Sequence, residues 1–283
     1  MTIDGKEIAE SVYADLAARR KSIARPIKLG IVVGANDAVI ESFVRIKSRA
    51  AVRLDVEIVR VDLPMRADTQ AAINAVEKLA GEADGIIVQL PLPKELNTDA
   101  VLAAIPAYGD VDGINPSVRE EDRIVRAPVA SAVAEILKHS SIDPRGRRAV
   151  VVGAGRLVGA PVAALLRGQG ADVSVVTLEE GGLDALKSAD IAVLGAGNPG
   201  FIKPDMLKDG VVLIDAGTSE AGGKVMGDAD PQCAEKALVF TPVPGGVGPI
   251  AVAMIFKNLL ALIECKRPGL KRQGYALRGG NAR

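Results

Sequence analysis

The sequence predicts a two-domain α/β fold with parallel sheets, and three observations carry that expectation. The chain has 283 residues, more than a single core usually organises. Short apolar, β-branched runs recur along nearly all of it, with helical spacing in the intervals between them. Strands that are apolar on both faces and alternate with helices belong to parallel sheets covered by helices on each side.

In chain order, MTIDGKEIAESVYADLAARR reads as an amphipathic helix, with Asp4 as its cap and Glu7 three residues later. Strands are expected at Lys28–Val33, Val56–Leu63, Gly85–Gln89, Ala149–Gly153, Val173–Thr177, Ile191–Gly195 and Val211–Asp215. Helical spacing covers Asp68–Gly81, where Ile73, Val76 and Leu79 share a face, and then Val129–His139, Leu157–Gln169 and Leu183–Ser188. The stretch SSIDPRGRR at Ser140–Arg148 breaks a helix ahead of a strand and marks the domain boundary. The first domain is expected over 1–140 and the second over 141–248. Helix Pro249–Cys265 follows a Pro/Gly loop and is expected to pack back on the first domain, leaving a cleft between the two. Such clefts commonly hold ligands. The basic, glycine-rich tail 267–283 is expected to be flexible.

Composition excludes several functions. The 35 Lys and Arg balance 35 Asp and Glu, so no basic surface is expected for nucleic acid or membrane. Aromatics are 2% of the chain, too few for a base-stacking platform. Two cysteines, Cys233 and Cys265, and one histidine, His139, leave no material for a disulfide framework or a zinc site. His139 ends a helix and is expected at the surface. The first helix lacks the apolar run of a signal peptide, and no stretch reads as a bilayer-spanning segment. The expected compartment is the cytoplasm.

The strongest motif is RAVVVGAGRLVG at Arg148–Gly159, a strand, then Gly153-x-Gly155-x-x-x-Gly159, then an Ala- and Leu-rich helix. Glycines in such a turn let the backbone approach a pyrophosphate, which sits at the positive helix N-terminus. The motif alone is weak, but its flanking strand and helix supply the context of a Rossmann-type doubly wound sheet. Ala154 and Arg156 lie in the same turn. Two further small-residue turns end strands, Gly195-Ala196-Gly197 and Asp215-Ala216-Gly217-Thr218, and suit a dinucleotide lying across the sheet's carboxyl edge. Past the second strand of this half stand Glu179 and Glu180. An acid there accepts ribose hydroxyls and repels a 2′-phosphate, so NAD is expected over NADP. Arg156 is the counterargument, because a guanidinium could hold that phosphate.

Four more segments occur in a fixed order: Phe43-Val-Arg-Ile-Lys47, Val88-Gln-Leu-Pro-Leu-Pro93, Asp110-Val-Asp-Gly113 and Thr241-Pro-Val-Pro-Gly-Gly-Val-Gly-Pro249. With the glycine turn, the chain from about Ile3 to Lys266 resembles the bifunctional methylenetetrahydrofolate dehydrogenase/methenyltetrahydrofolate cyclohydrolase family. The resemblance implies an N-terminal α/β folate domain, a C-terminal Rossmann domain and a homodimer. It also implies a catalytic Lys47 tuned by Gln89, a pterin-binding Asp112, and a substrate-side loop at Pro244, Gly245 and Gly246. A carboxylate suits the paired N–H donors of a pterin. Positions 43 and 47, one helical turn apart, can face one site.

The departures are as informative. The family's tyrosine is Phe43, a serine three residues earlier is Ile40, and a Pro-Cys-Thr-Pro segment is Ala127-Pro128-Val129-Ala130. An asparagine expected after DVDG is Val118. Hydride transfer needs mainly positioning, whereas hydrolysis of the methenyl product needs groups that relay protons. Dehydrogenase activity with reduced or lost cyclohydrolase activity is therefore expected. A fully bifunctional enzyme, a shikimate-dehydrogenase-like Rossmann oxidoreductase, and a non-catalytic folate- or nucleotide-binding relative are the alternatives.

Overall fold

The computed structural model describes residues 1–35, 38–221 and 224–266, so the expected flexible tail at 267–283 lies outside the described residues. The chain packs into two compact units. Among the described residues, a three-stranded unit takes 13–126 and 255–266; a five-stranded unit takes 1–12 and 127–254.

The three-stranded unit is a parallel sheet of β1 (Lys28–Val33), β2 (Glu57–Asp62) and β3 (Gly85–Gln89), in the order β2-β1-β3. Lys28 pairs with Glu57 and Leu29 with Gly85. The inner strand β1 and the strand β3 are almost wholly buried, which their unbroken apolar sequences allow. β2 lies at the edge and carries Glu57, Arg60 and Asp62, charges that discourage pairing with another strand. Helices α2 (Ala38–Arg53) and α3 (Thr69–Glu82) connect the strands. Arg60 bonds both Glu41 on α2 and Asp62 on its own strand, fixing α2 against β2. α3 begins as expected, with the Asp68 side chain accepting from Ala71 N at 2.8 Å. Its face of Ala72, Val76 and Leu79 is buried. Leu79 packs so closely on β1 that a Cβ on Gly30 would be 3.0 Å away. A short α4 (Thr98–Ala103) follows β3, and the chain then returns to bridge Ile86 through Asp110.

The five-stranded unit holds β4 (Arg148–Val152), β5 (Asp172–Val176), β6 (Ile191–Leu194), β7 (Val211–Asp215) and β10 (Ala237–Phe240). All are parallel, in the order β10-β7-β6-β4-β5. The core is built from Val150, Val152, Leu194, Leu213 and their neighbours. Helices α5 (Pro128–His139) and α6 (Gly159–Gly168) pack with it, and β8 (Ser219–Ala221) and β9 (Lys224–Met226) form an antiparallel hairpin. The N-terminal residues run beside β10, where Ile3 N donates to Phe240 O at 2.8 Å. Asp4 caps α1 (Gly5–Lys21) through Lys6 N, as expected.

Several expectations are corrected. Leu183–Ser188 is a 3-10 helix, entered from Gly182 at φ 90°, a short connector of the kind in which 3-10 turns are common. α6 begins at Gly159 because residues 155–158 form the preceding turn. Helix α5 groups with the five-stranded unit, although the sequence placed it before the boundary. The last helix, α7 (Val247–Cys265), begins two residues early, since Pro249 fits its first turn. Only its half from Ile255 onward groups with the three-stranded unit. α7 is also long and apolar enough to cross a bilayer, against expectation, but most of it is buried inside the protein, as a core helix is.

Candidate active site and dinucleotide turns

In the three-stranded sheet, strand order reverses between β1 and β3, since their continuations cross to opposite sides. Ligands bind at such switch points beyond the carboxyl ends of the strands. The sequence places its candidates there. Lys47 lies on α2, which follows β1, and Gln89 is the last residue of β3.

Lys47 Nζ donates to Gln89 Oε1 at 2.8 Å, and Gln89 Nε2 donates to the Leu90 carbonyl at 2.8 Å. Gln89 is 7% exposed, so its amide is held with both ends in use. Burial lowers the Lys47 pKa from its ordinary value, and the nearby Asp112 charge opposes that shift. Asp112 is half-buried as a residue, and the enclosure of its carboxyl pushes its pKa up to about 7, against the pull of Lys47. Phe43 stands one turn before Lys47, with its ring centroid 5.8 Å from Nζ. Ile40, one position further back on that face, is fully buried. The structure thus brings Phe43, Lys47, Gln89 and Asp112 together from three separate segments.

The loop bearing Asp112 is held by Asp110 and by residues the sequence reading did not single out. Asp110 accepts from Asn115 N at 2.8 Å, and the Asn115 amide donates to Ile105 O at 2.7 Å. Arg123 donates to Gly113 O and Asn115 O. Asn258 on α7 donates to Val111 O and Arg126 O at 2.8 and 2.7 Å. DVDG signalled Asp110 together with Asp112; Arg123 and Asn258 bind backbone carbonyls and leave no pattern in sequence.

In the five-stranded sheet the order reverses between β4 and β6. The turn after β4 is Gly153–Gly159. Gly153 has φ 99° and its Cβ would overlap the Gly195 carbonyl, while a Cβ on Gly159 would overlap the Gly153 carbonyl. These two glycines let strand end, helix start and neighbouring strand meet. Gly155 is different: a Cβ there would meet nothing. Ala154, Gly155 and Arg156 are exposed, and Val158, the residue before α6, gives the helix no side-chain cap. An uncapped helix N-terminus beside open space fits a dinucleotide pyrophosphate.

The turn after β6 holds Gly195 and Ala196, both half-buried, and Ala216 and the exposed Thr218 follow β7. Beyond β5, Glu180 N donates to Thr177 Oγ1 at 3.1 Å, Thr177 Oγ1 donates to the Glu180 carboxylate at 3.1 Å, and Glu179 is exposed. Pro244, Gly245 and Gly246 also belong to this unit. Gly245 has φ 110°, its carbonyl accepts from Gly5 N at 2.9 Å, and a Cβ on Gly246 would lie 2.7 Å from Pro242 O. Two buried carboxylates, Asp215 and Asp228, complete the strand ends and were missed as site residues. Asp215 accepts from Gly217 N, Asp228 N and Ala229 N. Burial, with a contribution from Asp228, pushes the Asp215 pKa up to about 6.

Residues 3–112 match the catalytic domain of the tetrahydrofolate dehydrogenase/cyclohydrolase family, and residues 127–267 match its NAD(P)-binding domain. The bifunctional protein FolD of Thermus thermophilus is 35% identical over 94% of this chain and 97% of its own. That of Staphylococcus aureus is 34% identical over 95% and 98%. A FolD structure from Campylobacter jejuni superposes with a TM-score of 0.87 at 28% identity, covering 94% of this chain and 99% of that one. The Trypanosoma brucei enzyme, solved with NADP and an inhibitor, gives 0.85 at 33% identity over 94% and 97%. Shikimate dehydrogenase of T. thermophilus gives 0.51 at 16% identity over 83% and 99%, a likeness of fold alone. The chain belongs to the tetrahydrofolate dehydrogenase/cyclohydrolase family.

Proposed function

We propose that this enzyme oxidises methylenetetrahydrofolate to methenyltetrahydrofolate, passing a hydride to a nicotinamide dinucleotide, and that it hydrolyses the product slowly. The observation that carries the reading is the desolvated Lys47, hydrogen-bonded to Gln89 with Asp112 beside it. Asp112 would bind the pterin through its ring N–H and amino donors, and the Phe43 ring would cover the folate. Pro244, Gly245 and Gly246 would line the substrate side. Lys47, whose charged form burial disfavours, would be the base that deprotonates water adding to the methenyl carbon.

Gly153, Gly155 and Gly159 would hold the dinucleotide, with Gly195, Ala196, Ala216 and Thr218 along the neighbouring strand ends. When bound, the nicotinamide supplies the hydride acceptor. The chain's own residues orient the two reactants, which is most of what hydride transfer requires. Slow hydrolysis follows from Phe43 and Ile40, which put no hydroxyl beside Lys47. NAD is the proposed cofactor, because Ala154 offers no charge in the turn and Glu179 and Glu180 stand past β5. A cytoplasmic homodimer without nucleic-acid or membrane partners belongs to the same reading; the balanced charge supports the absence of those partners, and the dimer rests on the family resemblance.

A fully bifunctional enzyme is the second reading, favoured by the intact Lys47–Gln89 pair and by relatives that carry that name. Following nicotinamide reduction and methenyl absorbance together with purified protein separates the two. Reduction with accumulating methenyl product supports the first reading; reduction without accumulation supports the second; neither signal removes both.

A further inference from the structure

We propose that Asp228 is a positioning residue for the dinucleotide. Its carboxylate is a built-in anion that fills the amide pocket of the turn after β6, fixing that turn and leaving the pyrophosphate to the Gly153–Gly159 turn. The inference rests on the reading of Gly153–Gly159 as the dinucleotide turn and deepens it.

Asp228 is 0% exposed and lies beyond β9, far in sequence from the turn it serves. One carboxylate oxygen accepts from Ala196 N at 2.6 Å and Gly197 N at 3.2 Å; the other accepts from Asn198 N at 2.7 Å. Three successive amides converging on one anion form a nest of the kind that binds phosphate. Here the protein supplies the anion itself. The turn's other tether is Ser219, whose hydroxyl donates to Gly197 O at 2.9 Å.

Space for this arrangement is made by glycine. A Cβ on Gly217 would overlap the Asp228 carboxylate, and one on Gly227 would overlap Asp215 Oδ2. Asp215 in turn accepts from the backbone amides of Asp228 and Ala229 at 3.2 and 2.8 Å, so one buried carboxylate seats the other. Gly195 is packed under Val158, the residue preceding α6, where a Cβ would overlap its side chain. A shift in the β6 turn would therefore press on the turn after β4. Two glycine-rich turns flank one switch point, and only the one without an internal anion offers amides to a ligand phosphate.

The test compares wild type with Asp228→Asn, Asp228→Ala and Ser219→Ala. The carboxamide is isosteric but turns an N–H₂ toward amides that need an acceptor. Dissociation constants for NAD and NADP come from calorimetry, and kcat and both KM values from the dehydrogenase assay. We expect Asp228→Asn to weaken dinucleotide binding about tenfold or more, as loss of charge-assisted hydrogen bonds does, with the folate KM within about twofold. Formate at millimolar concentration should restore dinucleotide binding to Asp228→Ala by refilling the pocket. Wild-type protein that binds neither dinucleotide removes the underlying reading and this inference with it. Wild type that binds, alongside Asp228→Asn with an unchanged constant, overturns this inference alone. If Asp228→Asn does not fold, Ser219→Ala decides: weakened dinucleotide binding supports the positioning role, and an unchanged constant overturns it.

Discussion

At the scale of single residues, the proposed chemistry turns on what stands around Lys47. Phe43 supplies a ring 5.8 Å from Nζ but no hydroxyl, so Phe43→Tyr should restore a proton-relay group. Methenyl hydrolysis is expected to rise roughly 100-fold, the lower end of the range for a positioned acid–base group, while hydride transfer changes less than about threefold. Stopped-flow decay of methenyl absorbance measures it, and an unchanged rate would show that the lysine works without a hydroxyl neighbour. Lys47→Met should bring hydrolysis down to the buffer rate and raise the folate KM. Asp112 makes a prediction about stability. Its carboxyl titrates near pH 7 in the folded protein rather than near 3.8, the ordinary value. Its contribution to stability is thus full below about pH 4 and is lost as pH rises through 7. Asp112→Asn has no such loss, so its melting temperature relative to wild type should increase by a few degrees between pH 5 and pH 8. A difference that is flat or falls with pH would contradict the burial of that carboxyl. DVDG made Asp112 visible in sequence. Asp228 was invisible, because its partners are backbone amides, which every residue carries.

At the scale of elements, the sheets were legible where strands are buried on both faces. β1, β3 and β7 occupy the residues that their apolar runs outline. β10 escaped notice because it is four residues long, exposes Leu238, and pairs with β7 through a register shift. The β8–β9 hairpin escaped because SEA and KVM carry no apolar run. The glycine turn after β4 was read as a single motif, yet its glycines do different work. Gly159→Ala would drive a Cβ into the Gly153 carbonyl, whereas Gly155→Ala meets only open space. Gly159→Ala should therefore lower the melting temperature by several degrees, in keeping with a backbone clash worth a few kcal/mol. Gly155→Ala should leave the melting temperature within about one degree and weaken dinucleotide binding instead, because its methyl occupies the approach to the pyrophosphate. Thermal unfolding and calorimetry on the pair separate packing from binding, and Gly155→Ala with unimpaired binding would remove the pyrophosphate from that turn.

At the scale of the molecule, each unit is a parallel sheet with one reversal of strand order, and each set of candidate residues sits where that reversal opens the carboxyl edge. The sequence expected a boundary at residue 140, but α5 packs with the five-stranded unit because Ala130, Val133, Ile136 and Leu137 are buried, and apolar periodicity alone does not say which sheet a helix covers. On the proposed reading, the choice of dinucleotide is likewise set by parts distant in sequence, the turn after β4 and the loop after β5. Glu180 is tied to Thr177, which keeps a carboxylate beyond β5, and Glu179 is exposed next to it. A carboxylate can accept both ribose hydroxyls of NAD, but it repels a 2′-phosphate. A discrimination of ~1.4 kcal/mol is tenfold in affinity. Ligand binding to the folded state alone adds about 2.7 kcal/mol at a hundredfold excess over Kd. At one millimolar of either cofactor, NAD should therefore raise the melting temperature by more than NADP. Glu179→Ala with Glu180→Ala should narrow that gap, and Arg156→Ala should leave NAD stabilisation in place. A larger shift with NADP, lost in Arg156→Ala, would assign the ribose to the arginine and reverse the cofactor preference.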